Sequence, residues 1–188
     1  MKKNISALIL SGGKSSRMGL DKGLMKFNGR RMITYAINAV EPNCKEIFIS
    51  ANSDDYQQFN LPIIKDTYNE LGPLSGIYEG LVHSSNEWIF VTTCDMPNIT
   101  SKAVAYFINQ IDKDINCIVA SLNGQRQPLF ACYHKSLIEE IRKALTEKKL
   151  KMQLFIESCQ LKVVSMNDFV IDTPNLFANI NDKTDLLP

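Results

Sequence analysis

The segment Leu10-Ser-Gly-Gly-Lys-Ser-Ser-Arg-Met-Gly-Leu-Asp-Lys22 gathers the groups needed to handle a polyphosphate. Gly12 and Gly13 have no Cβ, so backbone N–H groups can approach an anion closely, and Lys14, Arg17 and Lys22 add three cations to the same stretch. The apolar run Ile5 to Leu10 reads as a buried strand. The segment therefore leaves a strand's carboxyl end, where open parallel sheets bind ligands. A Walker loop would need a glycine where Leu8 stands, and no GxGxxG is present, so neither better-known phosphate loop applies. A turn that only joins strand to helix would also use glycines; the cations that follow favour phosphate.

Two carboxylates stand at comparable places. Asp95 follows the apolar run Trp88 to Thr93 and precedes Met96-Pro97, where it can hold Mg2+ with one or two protein ligands while phosphate oxygens and water complete the shell, or serve as a turn residue. Asp66 follows Leu61 to Lys65 in the same way, with the same two readings. Gly72-Pro-Leu-Ser-Gly76 opens a helix with Pro73 where its missing N–H is no loss; the free N–H groups there serve an anion or a base edge, or only cap.

The elements that must position these groups alternate. Strands are expected at Ile5–Leu10, Glu46–Ser50, Leu61–Lys65 and Trp88–Thr93, and helices at Met32–Val40, Leu74–Ser84 and Ser101–Gln110, the last capped by Thr100 or Ser101. Strand, helix, strand in repetition implies a mostly parallel sheet with helices on both faces. The second half is less regular. Strands at Asn116–Ser121 and Pro128–Tyr133 flank the loop Leu122–Gln127, helices are expected at Ser136–Thr146 and Met152–Glu157, and a late strand at Leu161–Met166. This half is expected to supply a second wall within a single α/β domain.

Composition narrows the class. Across 188 residues, 21 Lys and Arg face 20 Asp and Glu, and the net charge of +1 argues against a general nucleic-acid binder or a polybasic membrane module. The average conceals a gradient: residues 1–31 carry net +7, and residues 41–100 carry net −7. One site where cations meet an anion and carboxylates hold a metal would produce that pattern, and so would chance sorting of surface charge. The five cysteines are odd in number and lack a CxxC or Cys/His pattern, and the two histidines are too few for a zinc site. Lys2 and Lys3 precede too short an apolar stretch for a signal peptide, and no run nears the roughly 20 residues of a membrane span. A reducing, cytoplasmic setting without nucleic-acid or membrane partners is expected.

LSGGKSSRMGLDKGLMKFNGR resembles the N-terminal signature of the molybdenum cofactor guanylyltransferases. The similarity continues through Asp66, Gly72 to Ile77, Cys94-Asp-Met-Pro97, Pro128 to Ala131 and Phe177 to Asn181, in the family's order and over nearly the whole chain. The resemblance implies an α/β, Rossmann-like nucleotidyltransferase fold in one domain over residues 1–188, with about 1–100 serving the nucleotide and about 101–188 the second substrate. It implies Mg2+-dependent transfer of GMP from GTP to the molybdenum-molybdopterin cofactor, with release of pyrophosphate. Leu10, Ser11, Gly12, Gly13, Lys22, Asp66 and Asp95 are then nucleotide-binding, Arg17, Lys22 and Asp95 catalytic, and Asp95 the metal ligand. Arg126, Pro128, Asn179 and Asn181 fall near the second substrate. Transient contact with molybdoenzymes or their chaperones is a further expectation.

Gly12 leans toward guanine, because sister cytidylyltransferases tend to carry alanine there. Three departures stand out: Ser11 for the common alanine, Ser50 where some relatives place an asparagine, and Asp182-Lys183 for Thr-Pro. The stretch Arg142, Lys143, Lys148, Lys149 and Lys151 reads as a solvated helix face. A cytidylyltransferase or sugar-phosphate nucleotidyltransferase of the same architecture is the nearest rival. A nucleotide-binding regulator without transfer is the rival from another class.

Overall fold

A computed structural model of the chain describes residues 2–11, 21–68, 71–173 and 175–180. The central strand β1 (Lys3–Leu10) is buried from Ile5 onward, as its unbroken apolar run requires. A short hairpin, β2 (Lys26–Phe27) with β3 (Arg30–Arg31), leads into helix α1 (Met32–Val40). There follow β4 (Cys44–Ser50), a 3-10 turn at Asp54–Phe59, β5 (Ile63–Ile64), α2 (Pro73–His83), β6 (Trp88–Thr93) and α3 (Ser101–Ile108). The second half contributes β7 (Cys117–Leu122), β8 (Gln125–His134), α4 (Ile138–Thr146), α5 (Met152–Glu157), β9 (Leu161–Ser165) and α6 (Asn167–Asp172).

Seven strands form one sheet in the order β5-β4-β1-β6-β8-β7-β9. Every pairing is parallel except those of β8, which runs antiparallel to both neighbours. The chain winds outward from β1 through β4 to β5 and then returns to lay β6 on β1's other side. This reversal opens a crevice at the carboxyl ends of β1 and β6, where doubly wound sheets bind ligands.

The period of two along β1 divides the core. Ile5, Ala7 and Ile9 pack with residues of α1 and α3, while Leu8 and Leu10 pack with those of α2, α4 and α5. Helix α2 lies close over β1 because Gly76 and Gly80 carry no side chain: a Cβ at Gly76 would stand 2.7 Å from Leu10 Cδ2, and one at Gly80 2.8 Å from Leu8 Cδ2. Phe90, Phe107 and Phe130 meet edge to face on the opposite side, and Phe177 joins them at 5.0 Å from Phe130. That contact holds the segment after α6 against the sheet.

The main elements follow the apolar periodicity, and the differences have local causes. Thr100 is the N-cap of α3, accepting from Ala103 N at 3.2 Å. Strand β8 starts at Gln125, three residues earlier than expected, because Asn123 (φ 50°) and Gly124 (φ 78°) form a two-residue turn in place of a longer loop. The same Asn-Gly chemistry at Asn28 (φ 47°) and Gly29 (φ 79°) makes the β2–β3 hairpin, whose two-residue strands are too short to show a period. β7, β8 and β9 extend the single sheet.

Candidate active site

The crevice is built from strand ends. Ser11 continues β1 into the cleft and is almost wholly buried, its N–H donating to Ser50 O at 2.9 Å. Beside it Cys94 N donates to Leu10 O at 3.1 Å, which joins the end of β6 to that of β1. Asp95 follows immediately, half-buried, and Thr93 Oγ1 donates to its Oδ1 at 2.5 Å. This bond fixes one carboxylate oxygen. No ion pair to Asp95 forms among the described residues.

Lys22 opens a 3-10 turn, Lys22–Leu24, capped by Asp21, whose Oδ1 accepts from Gly23 N at 3.0 Å. The Lys22 ammonium donates to Ile180 O at 3.5 Å, and Ile180 N donates to Asp95 O at 2.9 Å. The chain around Asn179 and Ile180 therefore bridges Lys22 and Asp95, although these residues are far apart in sequence. Asn179 itself is exposed.

Asp66 occupies another part of the rim, beyond β5. Its Oδ1 accepts from Tyr68 N at 3.0 Å, and also from the hydroxyl of Ser75, which is buried in the first turn of α2. The turn reading and a site position thus coexist: Asp66 shapes its own loop and ties it to the start of α2. Asn52, which the sequence reading did not single out, stands alongside, its Oδ1 accepting from Asp66 N at 3.2 Å. Its place two residues past the end of β4 was the available signal; Ser50, that end residue, faces α2, 3.0 Å from the position of a Cβ on Gly76. Three strand spacings separate β5 from β6, roughly 14 Å at about 4.8 Å each. Asp66 and Asp95 are not partners in one metal cluster.

Arg126 and Pro128 come to the same end of the sheet because β8 is antiparallel and Val91 pairs with Ala131. The β7–β8 register shifts between Val119 and Ala120, leaving Pro128 in the irregular stretch where its missing N–H costs no ladder bond. Arg126 pairs with Glu157 of α5 at 3.1 Å, so a phosphate at this position must compete with a carboxylate. Gly12, Gly13, Lys14, Arg17 and Asn181 lie outside the described residues.

The donor set suits Mg2+. That ion takes one or two carboxylates plus phosphate oxygens and water, and Asp95 offers a half-buried carboxylate anchored by Thr93 and free of a competing cation among the described residues. No group of three or more His, Cys, Asp or Glu side chains forms a complete protein cage among those residues. A site that relies on substrate phosphates needs none.

The order of the sheet, with its crevice at the carboxyl ends of β1 and β6, is shared with nucleotidyltransferases, and the chain is one. A family model described as the MobA-like NTP transferase domain matches residues 7–161. A molybdenum cofactor guanylyltransferase of Vibrio vulnificus is 34% identical, the match covering 96% of this chain and 92% of that protein, and one of Vibrio atlanticus is 35% identical over 96% and 93%. The chain belongs to the molybdenum cofactor guanylyltransferase family. Among solved structures, molybdopterin-guanine dinucleotide biosynthesis protein A of Archaeoglobus fulgidus superposes with a TM-score of 0.77 at 18% identity, covering 96% of this chain and 94% of that one. The 4-diphosphocytidyl-2C-methyl-D-erythritol synthase of Anaerococcus prevotii gives 0.71 at 16% identity, covering 97% and 92%. These two likenesses concern the fold. Among the described residues no helix is long and apolar enough to cross a membrane.

Proposed function

We propose that the protein transfers GMP from GTP to the terminal phosphate of the molybdenum-molybdopterin cofactor, forming a guanine dinucleotide and releasing pyrophosphate. The observation that carries this reading is the convergence of Lys22, Asp95 and the Asn179–Ile180 segment at the crevice between β1 and β6, in a chain of this family. The nucleophile is already an anion, so no strong base is required. The work is alignment and neutralisation of charge on the triphosphate.

Leu10 and Ser11 form the floor under the nucleotide, with Gly12 and Gly13 bringing backbone N–H groups to the phosphates. Lys22 and Arg17 neutralise the departing pyrophosphate, Lys as a compact charge and Arg through its planar fork. Asp66, tied to Ser75, holds the rim where the nucleoside sits. Asp95 would hold Mg2+, which when bound supplies Lewis-acid polarisation of phosphoryl oxygens and a template for the two phosphates. Residues from about 1–100 serve the nucleotide and those from about 101–188 the second substrate, with Arg126, Pro128, Asn179 and Asn181 on that side. The cytoplasm suits five unpaired cysteines, four of them buried, and the product passes to molybdoenzymes or their chaperones by transient contact.

The test is pyrophosphate release with molybdenum-molybdopterin and Mg2+ from GTP or CTP. GTP is expected to be preferred, and Asp95→Ala to abolish turnover with an unchanged thermal midpoint. Preference for CTP overturns the guanine assignment, and full activity in Asp95→Ala overturns the role of that carboxylate.

A further inference from the structure

Tyr56 is fully buried, yet its hydroxyl bonds to two polar side chains beside the end of β1. Ser11 Oγ donates to Tyr56 OH at 2.5 Å, and Tyr56 OH donates in turn to Asp21 Oδ1. The same Asp21 oxygen accepts from Gly23 N at 3.0 Å and so caps the turn that begins with Lys22. Gly23 rests directly on the two hydroxyls, since a Cβ there would collide with both Ser11 Oγ and Tyr56 OH. One phenol therefore links the end of β1 to the turn that carries Lys22, from a 3-10 turn, Asp54–Phe59, in which Tyr56 is the buried residue.

We propose that Tyr56 is a positioning residue for nucleotidyl transfer: its hydroxyl, between Ser11 and Asp21, fixes the Lys22 turn against the end of β1 and thereby sets where the Lys22 ammonium meets the phosphates. Tyr56 does not touch substrate; it acts through Lys22. Burial, followed by the hydrogen bond to Asp21, pushes its hydroxyl well above the usual phenol range. It stays a neutral donor throughout the working pH range, as an anchor to a carboxylate must. Phenylalanine keeps the ring that fills the core and removes only the link, so the role separates from packing.

The inference rests on the proposed phosphate role of Lys22, and its test has two arms. In the first, kcat and KM for pyrophosphate release from GTP are measured for Tyr56→Phe, Lys22→Ala and the double variant. Tyr56→Phe is expected to lower kcat/KM about tenfold, the scale of one hydrogen bond to a charged acceptor, and the double variant to fall no further than Lys22→Ala alone. Multiplying losses would mean that Tyr56 acts only through general stability, and an unaffected Lys22→Ala would remove the group it serves; either overturns the proposal.

The second arm needs no nucleotide. Amide exchange at Gly23 and Leu24, whose N–H groups donate to Asp21 Oδ1 and to Asp21 O at 3.1 Å, is expected to quicken about tenfold in Tyr56→Phe while core amides keep their rates. Unchanged exchange there overturns the proposal. A wild-type protein that releases no pyrophosphate from GTP overturns the guanylyl reading instead, and the exchange arm still decides whether Tyr56 holds the turn.

Discussion

Replacing Gly80 by alanine adds one methyl group where helix α2 lies on β1. The position is interior to the helix, so backbone propensity alone favours alanine by about 1 kcal/mol. Packing opposes it. The new Cβ would stand 2.8 Å from Leu8 Cδ2, 3.2 Å from Cδ1 and 3.3 Å from Cγ, and Leu8 is fully buried, so its whole side chain would have to shift within the core. Overpacking of this kind costs about 1–3 kcal/mol, so the net expectation is a loss of about 1 kcal/mol despite the better helix former. Leu8→Val alone removes one buried methylene and costs about 1 kcal/mol. Together the two changes exchange one methyl for another across the same contact, and the double variant is expected to lie within about 0.5 kcal/mol of wild type. The coupling is then about 2 kcal/mol, read from urea midpoints at constant m-value. Gly80→Ala more stable than wild type, or losses that add within about 0.3 kcal/mol, would refute the close approach of α2 to β1. The consequence reaches the site because α2 begins with the turn in which Ser75 binds Asp66.

Three further outcomes follow from single contacts. Ser75→Ala is expected to cost about 1.5 kcal/mol in urea unfolding, the low end for a hydrogen bond to a half-buried carboxylate, and to raise KM for GTP if Asp66 holds the nucleoside. Burial raises the Glu46 carboxyl, but hydrogen bonds from Ser6, Ser85 and Asn86 outweigh it and hold the group below its ordinary value of 4.5. Its stabilisation is therefore complete above that value and lost as pH falls through the folded pKa, so the advantage of wild type over Glu46→Gln should shrink as pH drops from about 5 to about 3; a constant difference would contradict it. Among the thiols, burial pushes Cys44 and Cys94 up to about 12, whereas the hydrogen bond from Cys117 holds half-buried Cys159 below its usual value against the effect of burial. A chromogenic thiol reagent at neutral pH should react first with Cys159, and Cys159→Ser should remove the fast phase.

Much of the framework was legible because it depends on neighbours in sequence. Ile5 to Leu10 reads as a buried strand, and Trp88 to Thr93 likewise, so Ser11 and Asp95 had to emerge at strand ends. The less legible parts involve short or distant contacts. β5 shrinks to Ile63–Ile64 and the β2–β3 hairpin has two-residue strands, lengths at which a period of two carries no signal. The partner of Arg126, Glu157, lies 31 positions on, beyond the reach of any local pattern.

Local residue pattern alone determined that the chain alternates strands and helices, where the glycine-rich segment leaves the first strand and which carboxylates end strands. Strand order, and with it the crevice, was decided only by the tertiary structure. A buried strand satisfies its ladder with any neighbour of suitable length, and which one it takes depends on burying both faces of the whole sheet. That packing sets β6 beside β1, lets Phe130 hold Phe177 so that Ile180 reaches Asp95 and Lys22, and brings Tyr56 beneath both Ser11 and Asp21. Each of these contacts joins residues tens of positions apart, and no local pattern encodes the distance between them.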